Sequence, residues 1–192
     1  MTGRIIFLLE EPSMKTLLDD MLPRLFPGWL EHQNFQCVAH QGKSDLEQSF
    51  PRKLRAWREP GVRFVVMRDN DGADCIDLKA HYIRLCEEAG RADTLVRLVC
   101  QELESWYLGD LGAVAKAFDA RVDTSALRKR FSDPDSFNNA KQELKRLVPE
   151  YQQIGGARAL AQHMDASRSQ SVSFRVFLSG LRRLMEQMRA AH

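Results

Sequence analysis

Short apolar segments alternate with amphipathic ones through the first hundred residues, and this alternation constrains the fold more than any other feature. The apolar segments are 4–9, 34–40, 62–67 and 94–100. Each ends in polar residues, which is typical of strands buried in a parallel sheet. The segments between them, 13–25, 43–57 and 75–88, carry apolar residues at helical spacing. The order predicts an α/β fold in which helices flank a small parallel sheet.

After residue 104 the pattern changes to helices alone. Apolar residues recur at helical spacing in 105–118, 136–148 and 172–191, whereas 155–156 and 167–171 contain the Gly and Ser residues typical of mobile loops. We therefore predict two parts: an α/β core over 1–104, and a C-terminal α-helical extension over 105–192 that packs on it.

Composition excludes several classes of protein. The chain is 44% hydrophobic and 28% charged, as in globular proteins. Its four cysteines form no CxxC pair and its five histidines form no HxxxH or HExxH pair, so a zinc site or a disulfide framework is not indicated. The first apolar run has five residues and two glutamates follow it, too few for a signal peptide or a membrane span. We expect a cytoplasmic protein without a membrane segment.

Carboxylates follow three of the four predicted strands. Glu10 comes after the first strand, Asp69 and Asp71 after the third, and Glu102 and Glu104 after the fourth. Ligands of open parallel sheets bind outside the carboxyl ends of the strands, so these residues are expected at one edge. Carboxylates crowded together repel one another unless a cation neutralises them, and oxygen ligands alone select a hard ion. The pattern predicts a site for Mg²⁺ or Mn²⁺.

The Asp69-Asn-Asp-Gly run has two other interpretations. A helix-loop-helix calcium loop requires Gly at its sixth position and Glu at its twelfth, but Asp74 and Ala80 stand there, so that match fails. Haloacid-dehalogenase phosphatases use a similar Asp-x-Asp-Gly with the first Asp as nucleophile. They carry it on the first strand and follow it with Thr, whereas here it follows the third strand and precedes Ala73. The phosphatase is kept as a minor alternative.

Three arginines are candidates for contact with nucleic acid or a partner. Residues 1–120 have a net charge of −4 and residues 121–192 a net charge of +6, with Arg182 and Arg183 in the last predicted helix. Such a basic surface can meet phosphates or an acidic partner, although a solvated helix face explains most such excesses of charge. Arg68 precedes the acidic pair and is expected either to contact phosphate or to form an ion pair with Glu10 or Asp71.

The acidic residues resemble a known arrangement. A Glu after the first strand and an Asp-x-Asp after the third, in a small parallel sheet, resemble the Toprim fold of topoisomerases, primases and related nucleases. Nearly the whole chain resembles the bacterial domain-of-unknown-function family 4276, which is Toprim-like. The segments that carry this second resemblance are Glu102, Glu104-Ser-Trp106, Asn139-Ala-Lys141, Pro149-Glu-Tyr151 and Ser171-Val-Ser173-Phe174.

The resemblance implies roles for the acidic residues. Glu10, Asp69 and Asp71 match the family's catalytic, metal-binding positions, and Glu102 and Glu104 match its additional acidic positions. A Mg²⁺-dependent phosphodiesterase or nuclease acting on DNA or RNA is implied, as is an ABC-type ATPase partner in defence against phage or mobile elements. Glu11 stands where the family has Gly, which adds a charge where a backbone would approach phosphate.

A second hypothesis belongs to another class of protein. The chain could keep the Toprim-like fold without catalysis, and use its basic helical extension as a docking surface for an ATPase. The two hypotheses differ in whether the acidic residues bind metal, because a docking module has no need to keep them ionised together.

Overall fold

A four-stranded parallel sheet forms the core of the computed structural model, which describes residues 3–190. Its strands are β1 (Ile5–Leu9), β2 (Phe35–Ala39), β3 (Arg63–Asp69) and β4 (Leu95–Val99), in the order β2-β1-β3-β4. Every neighbouring pair is parallel. The predicted fold class, a small parallel sheet flanked by helices with a helical C-terminal part, is confirmed.

Three helices connect the strands and cover both faces of the sheet. They are α1 (Pro12–Leu25), α2 (Lys43–Ala56) and α3 (Cys75–Glu88). Successive side chains of a strand point to opposite faces, so Phe7 and Leu8 of β1 belong to two different buried clusters. The cluster around Phe7 includes residues of α1, and the cluster around Leu8 includes residues of α2 and α3.

The remaining chain is helical, as predicted, but is divided more finely. It contains α4 (Glu104–Leu108), α5 (Leu111–Phe118), α6 (Ser125–Arg130), a 3-10 turn (Pro134–Ser136), α7 (Ala140–Leu147), α8 (Gln153–Ala161) and α9 (Val172–Ala190). The expected single helix over 105–118 is broken because the Asp110 carboxylate accepts a hydrogen bond from the backbone N–H of Ala113 and so starts α5 as a new helix. Residue 191, predicted to end the last helix, lies outside the described residues.

The prediction of a loop at Gly155 and Gly156 is wrong, since both lie inside α8. A Cβ atom at Gly156 would lie 2.2 Å from Cε2 of Tyr151, so the missing side chain leaves room for this ring against the helix. The other predicted mobile segment, 167–171, is a turn in which Ser169 and Ser171 are buried, and the Ser169 hydroxyl accepts a hydrogen bond from the backbone N–H of Ser171.

Helix α9 crosses the sheet face that α1 also covers. The Phe177 ring packs against Phe7 of β1 with 6.5 Å between centroids, and the Trp106 indole donates a hydrogen bond to the Ser173 hydroxyl over 2.8 Å. Trp106 is fully buried, as expected of a core residue. Residues from both predicted parts thus share one buried cluster. The division at residue 104 stays a prediction. Within residues 3–190, no helix is both long enough and apolar enough to cross a membrane.

Candidate functional site

All five predicted carboxylates lie at the carboxyl edge of the sheet. Glu10 directly follows β1, Asp69 ends β3, and Asp71 lies two residues further on. In the strand register, Leu9 pairs with Met67, and Asp69 pairs with Val99. Glu102 and Glu104 follow β4 by a few residues. The parallel connections therefore bring these carboxylates to a common edge, as expected from the sequence.

Glu10 is hydrogen-bonded to the backbone of the neighbouring strand. Its Oε2 accepts from the Asp69 N–H over 3.0 Å, and its own N–H donates to the Met67 carbonyl over 3.1 Å. Burial raises the pKa of Glu10, although the Arg68 charge and the Asp69 N–H act to lower it. The side chain is thus held beside β3 in an environment that favours its protonated form more than water does.

Among the five carboxylates, only that of Asp69 has a buried oxygen without a hydrogen-bond partner. Its Oδ2 accepts from the backbone N–H of Leu103 over 3.3 Å, while its Oδ1 is buried and has no hydrogen-bond partner. Burial, followed by the charges of Glu10, Glu11 and Glu104, raises the pKa of Asp69 well above its usual range. A buried carboxylate oxygen without a donor is stabilised by either a proton or a cation.

Arg68 neutralises part of this charge from within the protein. The residue is buried; its Nε lies 3.8 Å from Glu10 Oε2 and its Nη2 3.5 Å from Asp71 Oδ2. Its guanidinium also stands over the Tyr82 ring, 5.6 Å from the centroid. Lys43 approaches Asp71 Oδ2 from the exposed side at 3.1 Å. Both ion pairs considered from the sequence are present, and contact of Arg68 with nucleic acid stays a prediction.

Asn70 is a structural residue that the sequence analysis did not single out. It is buried, its Nδ2 donates to the Ala73 carbonyl over 2.8 Å, and its Oδ1 accepts from the Gln101 N–H. It therefore joins the loop after β3 to the loop after β4. Asp71 and Gly72, which follow it, adopt left-handed backbone conformations with φ of 48° and 76°. The available signal was its position in an Asp-Asn-Asp-Gly turn, where short amide side chains bond nearby backbone groups.

Helices of the C-terminal part hold the two glutamates after β4. Glu104 is buried and its Oε1 accepts a hydrogen bond from the Tyr151 hydroxyl over 2.8 Å. Burial raises the pKa of Glu104, while the Tyr151 hydrogen bond acts to lower it. Glu102 Oε2 accepts from the backbone N–H of Lys141 over 2.8 Å. The orientation of both carboxylates thus depends on residues far along the chain.

The site contains oxygen ligands suited to a hard cation, but they are not arranged as a complete coordination site. Among residues 3–190, no three His, Cys, Asp or Glu side chains form a group that could hold a metal ion as they stand. The ligand chemistry still fits Mg²⁺ or Mn²⁺, because the Glu10, Glu11 and Glu104 carboxylates lie near enough to raise the pKa of Asp69, and its Oδ1 lacks any partner. Ion binding would compete with the Arg68 and Lys43 contacts for Glu10 and Asp71.

Arg182 and Arg183 lie away from this edge. Both are exposed on α9. Arg183 lines a cleft together with Asp93 and Thr94, which precede β4, so it stands near the amino edge of the sheet. A nucleic-acid strand would have to extend along the protein to contact both these arginines and the carboxylates.

Comparison with known families confirms the resemblance to the domain-of-unknown-function family 4276. A family model described as a domain of unknown function, DUF4276, matches residues 9–182. The chain belongs to this family. The matched DUF4276 region contains all five carboxylates of the site. A search of curated proteins found no match to the chain.

Solved structures with the same fold include the C-terminal regions of two OLD proteins. For the OLD protein of Xanthomonas campestris pv. campestris, phased with iodine, the TM-score is 0.57 at 14% identity. For the OLD protein of Burkholderia pseudomallei, the TM-score is 0.58 at 19% identity. Each comparison covers 99% of this chain and 98% of the other. At these identities the likeness establishes the α/β fold of this DUF4276 member.

Proposed function

We propose that the carboxyl edge of the sheet is a Mg²⁺- or Mn²⁺-dependent site that hydrolyses phosphodiester bonds in nucleic acid. The observation that carries the proposal is the Oδ1 of Asp69, buried and without a partner among neighbouring carboxylates that raise the pKa of this residue. An unsatisfied buried polar atom costs about 1–3 kcal/mol, and a cation bound at this oxygen would offset that cost.

Asp69 and Asp71 would hold the ion, Glu10 would either bind it as well or move a proton, and Glu102 and Glu104 are the additional candidate ligands. A bound divalent ion supplies Lewis-acid stabilisation of charge on a phosphodiester oxygen. In the second role Glu10 is suited to move a proton, because burial raises the pKa of its carboxylate when no cation is bound to it. Arg68, paired with Glu10 on one side and Asp71 on the other, keeps the site from excess negative charge before substrate arrives.

More specifically, we propose that the protein is a nuclease of the Toprim type that acts in the cytoplasm. The sequence resemblance to Toprim proteins supports it, and the positions of Glu10, Asp69 and Asp71 at the carboxyl edge of a parallel sheet agree with that arrangement. The same resemblance supports an ABC-type ATPase as partner and a role in defence against phage or other foreign DNA. DNA and RNA are both candidate substrates.

Metal binding and cleavage test the proposal together. We expect Mg²⁺ or Mn²⁺ to raise the melting temperature of the wild type, because an ion that binds only the folded state stabilises it by mass action. Asp69→Asn should abolish both this shift and cleavage of single- or double-stranded DNA and RNA. Asp77→Asn, on an exposed position of the nearby α3, is the matched control and should keep both. Absence of a metal-dependent shift in the wild type would exclude the metal site.

A non-catalytic docking module for an ATPase is the second candidate function. It is favoured by the Arg68 and Lys43 ion pairs, which already neutralise Glu10 and Asp71 without a metal, and by the lack of a finished ligand set among residues 3–190. A protein that shows neither a metal-dependent shift in melting temperature nor cleavage of any of the four substrates would support this candidate over the nuclease.

A further inference from the structure

A small cleft between β4 and α9 brings together two arginines outside the acidic site. Arg97 of β4 and Arg183 of α9 line it, with Thr94 and Gln187 beside them, and its volume is about 220 Å³. It opens near the start of β4, whereas the carboxylates follow the strand's end. At roughly 3.3 Å per strand residue, a five-residue strand spans about 15 Å, so the two locations are separate.

The Arg97 guanidinium is packed against the backbone of α9. A Cβ atom at Gly180 would lie 2.0 Å from Arg97 Nη2, so the absence of a side chain here gives the guanidinium room to lie against the helix. Arg97 Nη1 donates to the Val96 carbonyl over 2.8 Å, but its Nε is buried and has no hydrogen-bond partner. The helix is thus shaped around a cation that retains an unused donor.

Nearby carboxylates do not neutralise this cleft. Burial and then the charge of Arg183 lower the pKa of Arg97, and no carboxylate of residues 3–190 counteracts them. The one carboxylate that lines the cleft, Asp93, is already paired with Arg63 and Arg91, each at 3.2 Å. Two like charges facing one small space are stabilised by an anion placed between them.

We propose that the cleft between Arg97 and Arg183 binds a single phosphate group. Guanidinium groups bind phosphate through paired N–H donors and remain charged at all physiological pH values. The volume of the cleft is below the roughly 300–1,000 Å³ of pockets that enclose a drug-sized ligand, which favours one phosphate group over a whole nucleotide. The phosphate is either inorganic phosphate or one unit of a nucleic-acid backbone that passes over α9.

The test uses the whole protein in EDTA, so that it is independent of metal binding and cleavage. Inorganic phosphate should raise the melting temperature of the wild type more than sodium chloride of equal ionic strength. Arg97→Gln and Arg183→Gln should weaken phosphate binding by about tenfold or more, because each removes charge-assisted hydrogen bonds. Arg189→Gln is the matched control: this residue is exposed on the same helix and does not line the cleft.

A second arm identifies the source of the phosphate. Anisotropy of a labelled DNA or RNA oligonucleotide is measured with the same variants. Weaker oligonucleotide binding in Arg183→Gln, with Arg189→Gln unchanged, assigns the cleft to a backbone phosphate. Unchanged oligonucleotide binding with a lost phosphate shift assigns it to free phosphate. The proposal is overturned if phosphate gives no specific shift in the wild type, or if Arg183→Gln and Arg189→Gln respond to phosphate alike. Arg183 is exposed, so its variant tests the proposal even if Arg97→Gln fails to fold.

Discussion

Oε2 of Glu10 accepts a hydrogen bond from the backbone N–H of Asp69 over 3.0 Å, which links two acidic residues that are 59 positions apart in the chain. The bond fixes the Glu10 side chain through the backbone of β3 and leaves the Asp69 carboxylate free of it. The two acids are therefore held side by side by the sheet itself, and Arg68 supplies the nearest compensating charge.

Replacing Arg68 with Met should destabilise the protein. Glu10 and Asp71 would then keep their negative charges near Asp69 without the buried guanidinium. Because Asp71 is partly exposed, we expect a loss of about 2–3 kcal/mol at pH 7, somewhat below the value for a fully buried pair. Urea unfolding at pH 7 measures it. Lys43→Met, which removes an exposed partner of Asp71, should cost under about 1 kcal/mol, and equal losses in the two variants would contradict the assigned role of Arg68.

The metal-free protein should gain stability from Asp69 in mild acid. The pKa of Asp69 is raised well above its unfolded value of 3.8, so the folded state holds a proton that the unfolded state has released. Stability is therefore lost as the pH rises from about 4 through the folded pKa. Unfolding of the wild type and of Asp69→Asn in EDTA should show a difference in free energy that moves against the wild type as the pH rises. A difference independent of pH would show that Asp69 titrates normally.

Tyr151→Phe should destabilise the fold through Glu104. The change leaves the buried Oε1 of Glu104 without its donor, at an expected cost of about 1–3 kcal/mol, and raises the pKa of Glu104 further. Tyr107→Phe provides a matched control, since the Tyr107 hydroxyl is buried and has no hydrogen-bond partner. Removing that hydroxyl should leave stability unchanged or slightly higher. Thermal unfolding of both variants decides whether the Tyr151 bond contributes as inferred.

The two adjacent glycines of α8 should respond oppositely to alanine. A Cβ at Gly156 meets the Tyr151 ring, so Gly156→Ala should cost about 1–3 kcal/mol through overpacking. Nothing lies within 4 Å of a Cβ at Gly155, and alanine favours the helix there, so Gly155→Ala should stabilise by about 0.5–1 kcal/mol. Chemical denaturation compares them. Similar effects at both positions would argue against the close approach of Tyr151.

The sheet was predictable from sequence because buried parallel strands are continuous apolar runs with polar ends. All four strands and the three connecting helices lie within about two residues of the predicted bounds. Helix α8 was missed because Gly155 and Gly156 resemble a turn when the Tyr151 ring that packs on the second glycine is unseen. The helix break at Asp110 was missed for a similar reason, since an aspartate that starts a helix looks like a polar residue within one.

The sequence predicted the edge of the sheet at which the candidate site lies, but not the ion pairs and hydrogen bonds of its residues. The parallel direction of β1 and β3 places Glu10 and Asp69 at the same end of the sheet. The ion pairs of Arg68, the Tyr151 bond to Glu104 and the missing donor at Asp69 depend on side-chain directions across the tertiary structure. Contacts between side chains far apart in the chain produce no regular pattern in a single sequence, so they could not be predicted from it.

Packing of α9 across the face of β1 has a consequence for synthesis on the ribosome. The last strand ends at Val99, but Phe7 does not meet Phe177 until α9 has emerged. At roughly 5–20 residues per second, the part of this face that α9 covers stays exposed for on the order of 5–20 s of translation, although α1 has already been made. We therefore expect the nascent chain to bind chaperones that shield apolar surfaces, and a ribosome stalled before residue 172 to hold an aggregation-prone intermediate.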